Sequence, residues 1–209
     1  MIRKHIILIC LVSAFTCGHA AATEPSVTAR TYPRLTGGLE LGFVESVISI
    51  GEYCYNTIDG RVYDTPRGFD FASGGCMSAN FGCNFTRKFG LSLNAGMSLV
   101  SGKGIQVPVT MRATIYPHGC DNNGMFCFAG AGAGFNLGAE SGTDALGTLG
   151  AGYRKKLPGG FSLDFSLRAC ASLGHPAIKD PNGGYVNKSQ VFVSNACNLS
   201  AAFGVALIF

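Results

Sequence analysis

Charge is what this sequence has least of. Only 13% of its 209 residues are Asp, Glu, Lys or Arg, against about 25% in soluble domains. So little charge cannot easily cover a water-facing globule. Trp is absent. No CxxC pair and no Cys/His set at zinc spacing occurs, which removes the common structural zinc sites. Beyond residue 22 the histidines are His118 and His175, and neither has an adjacent Ser or Cys with an acid partner to suggest a nucleophilic triad. Two glycine-rich stretches fail as phosphate loops. Ser101-Gly102-Lys103-Gly104 lacks the Walker spacing and the hydroxyl residue after Lys103, and Gly130-Ala131-Gly132-Ala133-Gly134 lacks the third Gly of a GxGxxG.

The first 22 residues account for part of the apolar excess. Arg3 and Lys4 precede an apolar run from Ile6 to Phe15, and Ala20-Ala21-Ala22 offers a small-residue cleavage site. This order is expected of a secretory signal peptide cut after Ala22 rather than of a membrane-spanning helix. Phe15 and Thr16 before Cys17 argue against a lipoprotein. Past the signal, 14 basic residues face 12 acidic ones, a net charge of +2 that implies no nucleic-acid partner. Seven cysteines remain, an odd number, so at least one thiol stays unpaired within the chain. Cys120 and Cys127 flank Asp121-Asn122-Asn123-Gly124 and are the candidate disulfide, clipping a hairpin in an oxidising compartment. Cys76, Cys83, Cys170 and Cys197 read as small fillers on strands.

What the chain has in abundance is glycine, 30 residues of 209, and alternation. In the last nine residues Phe203, Val205, Leu207 and Phe209 occupy one face of a strand, with Ala202, Gly204, Ala206 and Ile208 on the other. The same period of two recurs upstream. Phe89, Leu91, Leu93, Ala95, Met97 and Leu99 oppose Gly90, Ser92, Asn94, Gly96 and Ser98, and Phe161, Leu163, Phe165 and Leu167 oppose Ser162, Asp164, Ser166 and Arg168. Pro108, inside the strand from Ile105 to Tyr116, suggests a bulge or weakened pairing. Residues 23–37 read as a periplasmic tail, and residues 38–209 as about eight strands with compact turns near 86–88, 117–124 and 156–160. Longer connections near 49–68, 100–104, 139–144 and 174–189 alternate with those turns. The expected fold is all-β: a closed, antiparallel, up-and-down transmembrane β-barrel.

A soluble barrel would show the same periodicity, so the faces decide. Were the apolar face inside, the strand at 89–99 would show water only Gly, Ser and Asn, less charge than soluble surfaces carry. With the apolar face toward lipid, small residues and a few charges fill the lumen, and eight strands leave just enough room for that. The lumen then holds Glu40, Arg112, Asp164 and Arg168, expected as a structural ion-pair network because unpaired charge there is costly. A proton or ion path, or a catalytic carboxylate pair, is the less favoured use of the same residues. Tyr53 and Tyr55 are expected to anchor at the lipid headgroups.

On these patterns the chain resembles the small OmpA/OmpX-like eight-stranded outer-membrane barrels. The alternating run that ends in Tyr116-Pro117 is similar to that of the outer membrane protein β-barrel families of Bacteroidota. The resemblance implies an outer-membrane location, insertion by the barrel assembly machinery with Phe203, Val205, Leu207 and Phe209 as the assembly signal, and outer-membrane lipid as partner. It implies a non-enzymatic structural or adhesin-like role, with the loops 49–68 and 174–189 as surfaces for a partner and no cofactor. A small pore and a lipid-modifying enzyme are the alternatives. The enzyme would need a His175, Ser and acid cluster at the rim.

Overall fold

The computed structural model describes residues 32–57, 60–100, 104–137, 142–178 and 186–209. The expected signal peptide, most of the expected tail, and parts of the expected connections 49–68, 100–104, 139–144 and 174–189 lie outside the described residues. The described residues form nine strands: β1 (Leu35–Thr57), β2 (Gly60–Asp64), β3 (Arg67–Asn84), β4 (Phe89–Val100), β5 (Gly104–Ile115), β6 (Gly124–Leu137), β7 (Gly142–Lys156), β8 (Ser162–Gly174) and β9 (Val191–Ile208). All pairings are antiparallel. From β3 to β9 each strand pairs with the next, while β1 pairs with β3 on one side and β9 on the other. Eight strands therefore close into a ring with no free edge. The ninth, β2, pairs only with the tip of β1 and extends that hairpin beyond the ring.

The carboxyl-terminal strand makes the closure. Its ladder with β1 runs from Gly38↔Ile208 to Tyr55↔Val191. Gly37 and Phe209 then exchange two backbone hydrogen bonds, each 2.8 Å. At this end the turns are tight; between β7 and β8, Gly159 and Gly160 adopt φ of 81° and 88°, which L side chains rarely reach. We call it the turn end and the opposite one the loop end. Pro108 weakens pairing on one side only. The β4–β5 ladder skips from Ala95↔Val109 to Ser98↔Gln106, whereas β5–β6 runs unbroken through Pro108↔Gly134. Register is the same before and after the gap, so no bulge forms there.

The stretch expected as a loop at 49–68 is mostly strand. β1 begins at Leu35 and continues to Thr57, and β2 and the start of β3 fill most of the remainder. The reason is a register shift between Ser46 and Ile48 in both ladders of β1. A bulge of this kind inserts one residue and reverses which parity faces inward. Up to Phe43 the odd residues point out; beyond the bulge Ile50 points out, Tyr55 is buried and Tyr53 lines the lumen. The alternation thus looks broken where it has only changed phase. Tyr53 and Tyr55 consequently do not reach outward as anchors: Tyr55 packs with Ile178 and Val186, and Tyr53 lies against that cluster.

Every strand of the ring carries large apolar side chains on its outer face. Leu41 is 63% exposed, Phe69 75% and Leu167 65%, while Glu40 between Leu39 and Leu41 is 2% exposed. An apolar surface recurring on all eight strands is far beyond the scattered exposed residues of a soluble monomer.

Candidate functional site

The lumen is built in two storeys. Toward the turn end it is filled. Arg154 on β7 and Asp164 on β8 stand directly opposite one another across the strand pair and form a two-pronged ion pair, Nε to Oδ1 at 2.7 Å and Nη2 to Oδ2 at 2.6 Å. Arg154 also donates to the Cys120 carbonyl at 3.1 Å and to the Tyr116 hydroxyl at 3.2 Å. Its guanidinium carbon lies 4.5 Å from the centre of the Tyr116 ring. The chain between β5 and β6 therefore folds in under the ring of strands, and Cys120 there is fully buried. Burial pushes the Cys120 thiol up from its ordinary value.

Above this pair stand two inward aromatic rings that the sequence reading did not identify. Phe126 and Phe128 are 5% and 3% exposed. Tyr116, Phe126 and Phe128 follow one another at 5.9 and 6.0 Å between ring centres. Glycines on β7 make room for them: a Cβ on Gly152 would meet the Phe126 ring, and one on Gly150 the Phe128 ring, each at 2.5 Å. Arg112 closes the stack, with its guanidinium carbon 4.6 Å from the centre of the Phe128 ring.

Arg112 belongs to the second charged group, in the middle of the lumen. Its Nη2 donates to Glu40 Oε2 at 3.2 Å, and Arg168 Nη1 donates to Glu40 Oε1. Arg168 Nη2 also reaches Cys76 Sγ at 3.3 Å. Gly204 on β9 leaves space for the carboxylate, since a Cβ there would come within 2.6 Å of Glu40 Oε1. Of the four charges expected in the lumen, Glu40, Arg112 and Arg168 are thus brought together. Asp164 is not with them; it pairs with Arg154 on the strand beside it. That partner was legible: counting back from the short turn at 157–161 sets Lys156 opposite Ser162 and Arg154 opposite Asp164.

Above the Glu40 cluster the lumen opens into a cavity of about 380 Å³ reaching the loop end. Gln106, Asn136 and Ser172 all donate to Asp144 Oδ2 on its wall, at 2.9, 3.1 and 3.0 Å. Near the rim, His175 Nδ1 lies 2.5 Å from the main-chain carbonyl of Ser194, and the Ser194 hydroxyl donates to the Pro176 carbonyl. Both side chains are turned to backbone and not to one another.

The structure does not bring Cys120 and Cys127 together. Cys120 lies inside the turn-end plug, whereas Cys127 sits between the inward Phe126 and Phe128 and so points the other way, toward the outer face. Outside the ring, Arg87 Nε donates to Asp121 Oδ1 at 2.7 Å. Burial pushes the Asp121 carboxyl up, but the hydrogen bond from Arg87, a backbone hydrogen bond and the positive charges of Arg87 and Lys156 together outweigh it and hold the group below the usual carboxylate range.

No protein-family model matches the chain, and no curated protein matches its sequence. Among solved structures it is similar to the crystal structure of the outer membrane protein OprG from Pseudomonas aeruginosa, with 18% identity and a TM-score of 0.47 over 83% of this chain and 95% of that one.

Proposed function

We propose that this chain is an outer-membrane β-barrel protein with a structural or surface-interaction role, and that no chemistry is performed on it. The observation that carries this reading is the outward apolar surface on all eight strands of a closed ring. Strands in hydrocarbon must satisfy every backbone group within the protein, which only a closed barrel does. Lipid is the environment in which Leu41, Phe69 and Leu167 are more stable uncovered than covered by water. In the outer membrane the turn end faces the periplasm and the loop end faces out, as short turns and long loops are arranged in such barrels. Outer-membrane lipid and the barrel assembly machinery are then the partners. Phe203, Val205, Leu207 and Phe209 on the closing strand are the assembly signal, delivered across the inner membrane by residues 1–22.

The surface offered to a partner is the described part of the loop end, residues 49–57, 60–68, 174–178 and 186–189. Phe192 stays half exposed there, with the guanidinium carbon of Arg61 4.4 Å from its ring centre. The pore alternative is weakened by the stack from Arg154 to Arg112, which occupies the turn-end half of the lumen with buried side chains. Two measurements test the reading. Fractionation should find the protein in the outer membrane, with unheated and heated samples migrating differently on a detergent gel. A planar bilayer holding the folded protein should stay electrically silent or nearly so. Recovery in the soluble periplasmic fraction, or a steady open channel, would overturn it.

A further inference from the structure

We propose that the cavity above the Glu40 cluster binds a small organic anion, its carboxylate or phosphate held by Arg112 and Arg168. The cavity, about 380 Å³, lies within the range of small-molecule pockets, about 300–1,000 Å³. Its floor carries unmatched charge: two guanidiniums share one carboxylate, and both Glu40 oxygens are already engaged. Each guanidinium has five N–H donors. Arg112 gives one to Glu40, and Arg168 gives one to Glu40 and one to Cys76, while both side chains line the cavity. The stacking of Arg112 on Phe128 fixes the plane of its fork before any ligand arrives. A fixed fork at the base of a hole, with one positive charge uncompensated, matches the geometry of a carboxylate or phosphate.

The remaining charge on the wall does not cancel this. Asp144 is opposite Gly134 and Arg112 is opposite Gly130 on the same strand β6. That separation is roughly 13 Å along the strand, and Asp144 is occupied by its three donors. A second observation points to a ligand. Asn94 lines the cavity at 4% exposure, and its Oδ1 has no hydrogen-bond partner among the described residues. Turned toward the cavity, that oxygen would accept from a hydroxyl or amide on the ligand body.

Calorimetry on the folded protein in detergent micelles tests it, titrating succinate or inorganic phosphate to about 10 mM, with the uncharged succinamide as control. The expected result is one saturable site for at least one anion, with the tighter of the two naming the head group. Succinamide should bind at least about tenfold more weakly. Arg168→Gln should lose about tenfold or more, and Glu40→Gln, which removes the competing carboxylate, should bind the anion several-fold more tightly. If either variant fails the heated-versus-unheated gel test for folding, rising chloride on the wild type replaces it and should weaken the anion. No saturable heat from either anion in the wild type, or succinamide binding as tightly as succinate, overturns the proposal.

Discussion

Replacing Arg154 with Met should be among the most damaging single changes in the lumen. Arg154 is 4% exposed and Asp164 8%, so the carboxylate left behind would have neither water nor partner. The substitution deletes both prongs to Asp164 and the donations to the Cys120 carbonyl and the Tyr116 hydroxyl. Breaking a buried pair from one side costs about 3–5 kcal/mol, whereas exchanging the whole pair for apolar groups is often near neutral. Asp164→Asn alone should cost a similar amount, because it strands the guanidinium. The double variant Arg154→Met/Asp164→Asn should recover part of the loss, giving a coupling of about 2–3 kcal/mol in a double-mutant cycle. Full recovery is not expected, since the Cys120 and Tyr116 acceptors stay unserved at about 1–3 kcal/mol for a buried polar group. With no Trp to report folding, the folded fraction is read from gel mobility across a urea series in lipid vesicles. A cost under about 1 kcal/mol for Arg154→Met, or additivity of the two changes, would show that the turn-end plug is not held by this pair.

Outward and inward substitutions should diverge in the same assay. Leu93→Arg on the outer face of β4 should cost about 2–4 kcal/mol near the membrane midplane, while Ser98→Arg, which points into the cavity, should cost far less; equal tolerance would mean that the faces are reversed. Ser92 is the poorer inward site, being directly opposite Arg112. Phe209→Asp should abolish membrane assembly while leaving export intact, because Phe209 closes the ring with Gly37 and its side chain stays exposed; normal outer-membrane levels of the variant would contradict the assembly role. For Asp121 the sign is fixed by its lowered carboxyl. Its contribution is present above the unfolded value of about 3.9 and is lost as pH falls through the lower folded value. Wild type and Asp121→Asn should therefore differ slightly at neutral pH and converge in strong acid, and a gap that widens toward acid would refute the pairing with Arg87.

The outward face was legible because one physical rule covers it. A strand with one side in lipid repeats every two residues, and β4, β8 and the end of β9 keep that phase without interruption. The rule failed at Ser46 to Ile48, where a bulge reverses the phase and makes a continuing strand look like a loop. Nothing local in the sequence marks that point, since the shift is fixed jointly by the ladders to β3 and β9. The lumen was harder, for a different reason. Its residues are chosen to fill a shared volume, so the size of one is explained only by its neighbour across the ring. Phe126 and Phe128 defy the expectation of small inward residues, and Gly150 and Gly152 on the next strand are the compensation. Read alone, β6 and β7 are both rich in small residues and hard to orient; read in register, Phe126 opposite Gly152 and Phe128 opposite Gly150 specify each other. The same holds for charge. Asp164 did not join the other three expected residues because its cross-strand neighbour is itself an arginine, leaving Glu40 alone between two cations. That leftover positive charge is a property of the register and not of the composition, and it is where the lumen departs from a plug that merely neutralises itself.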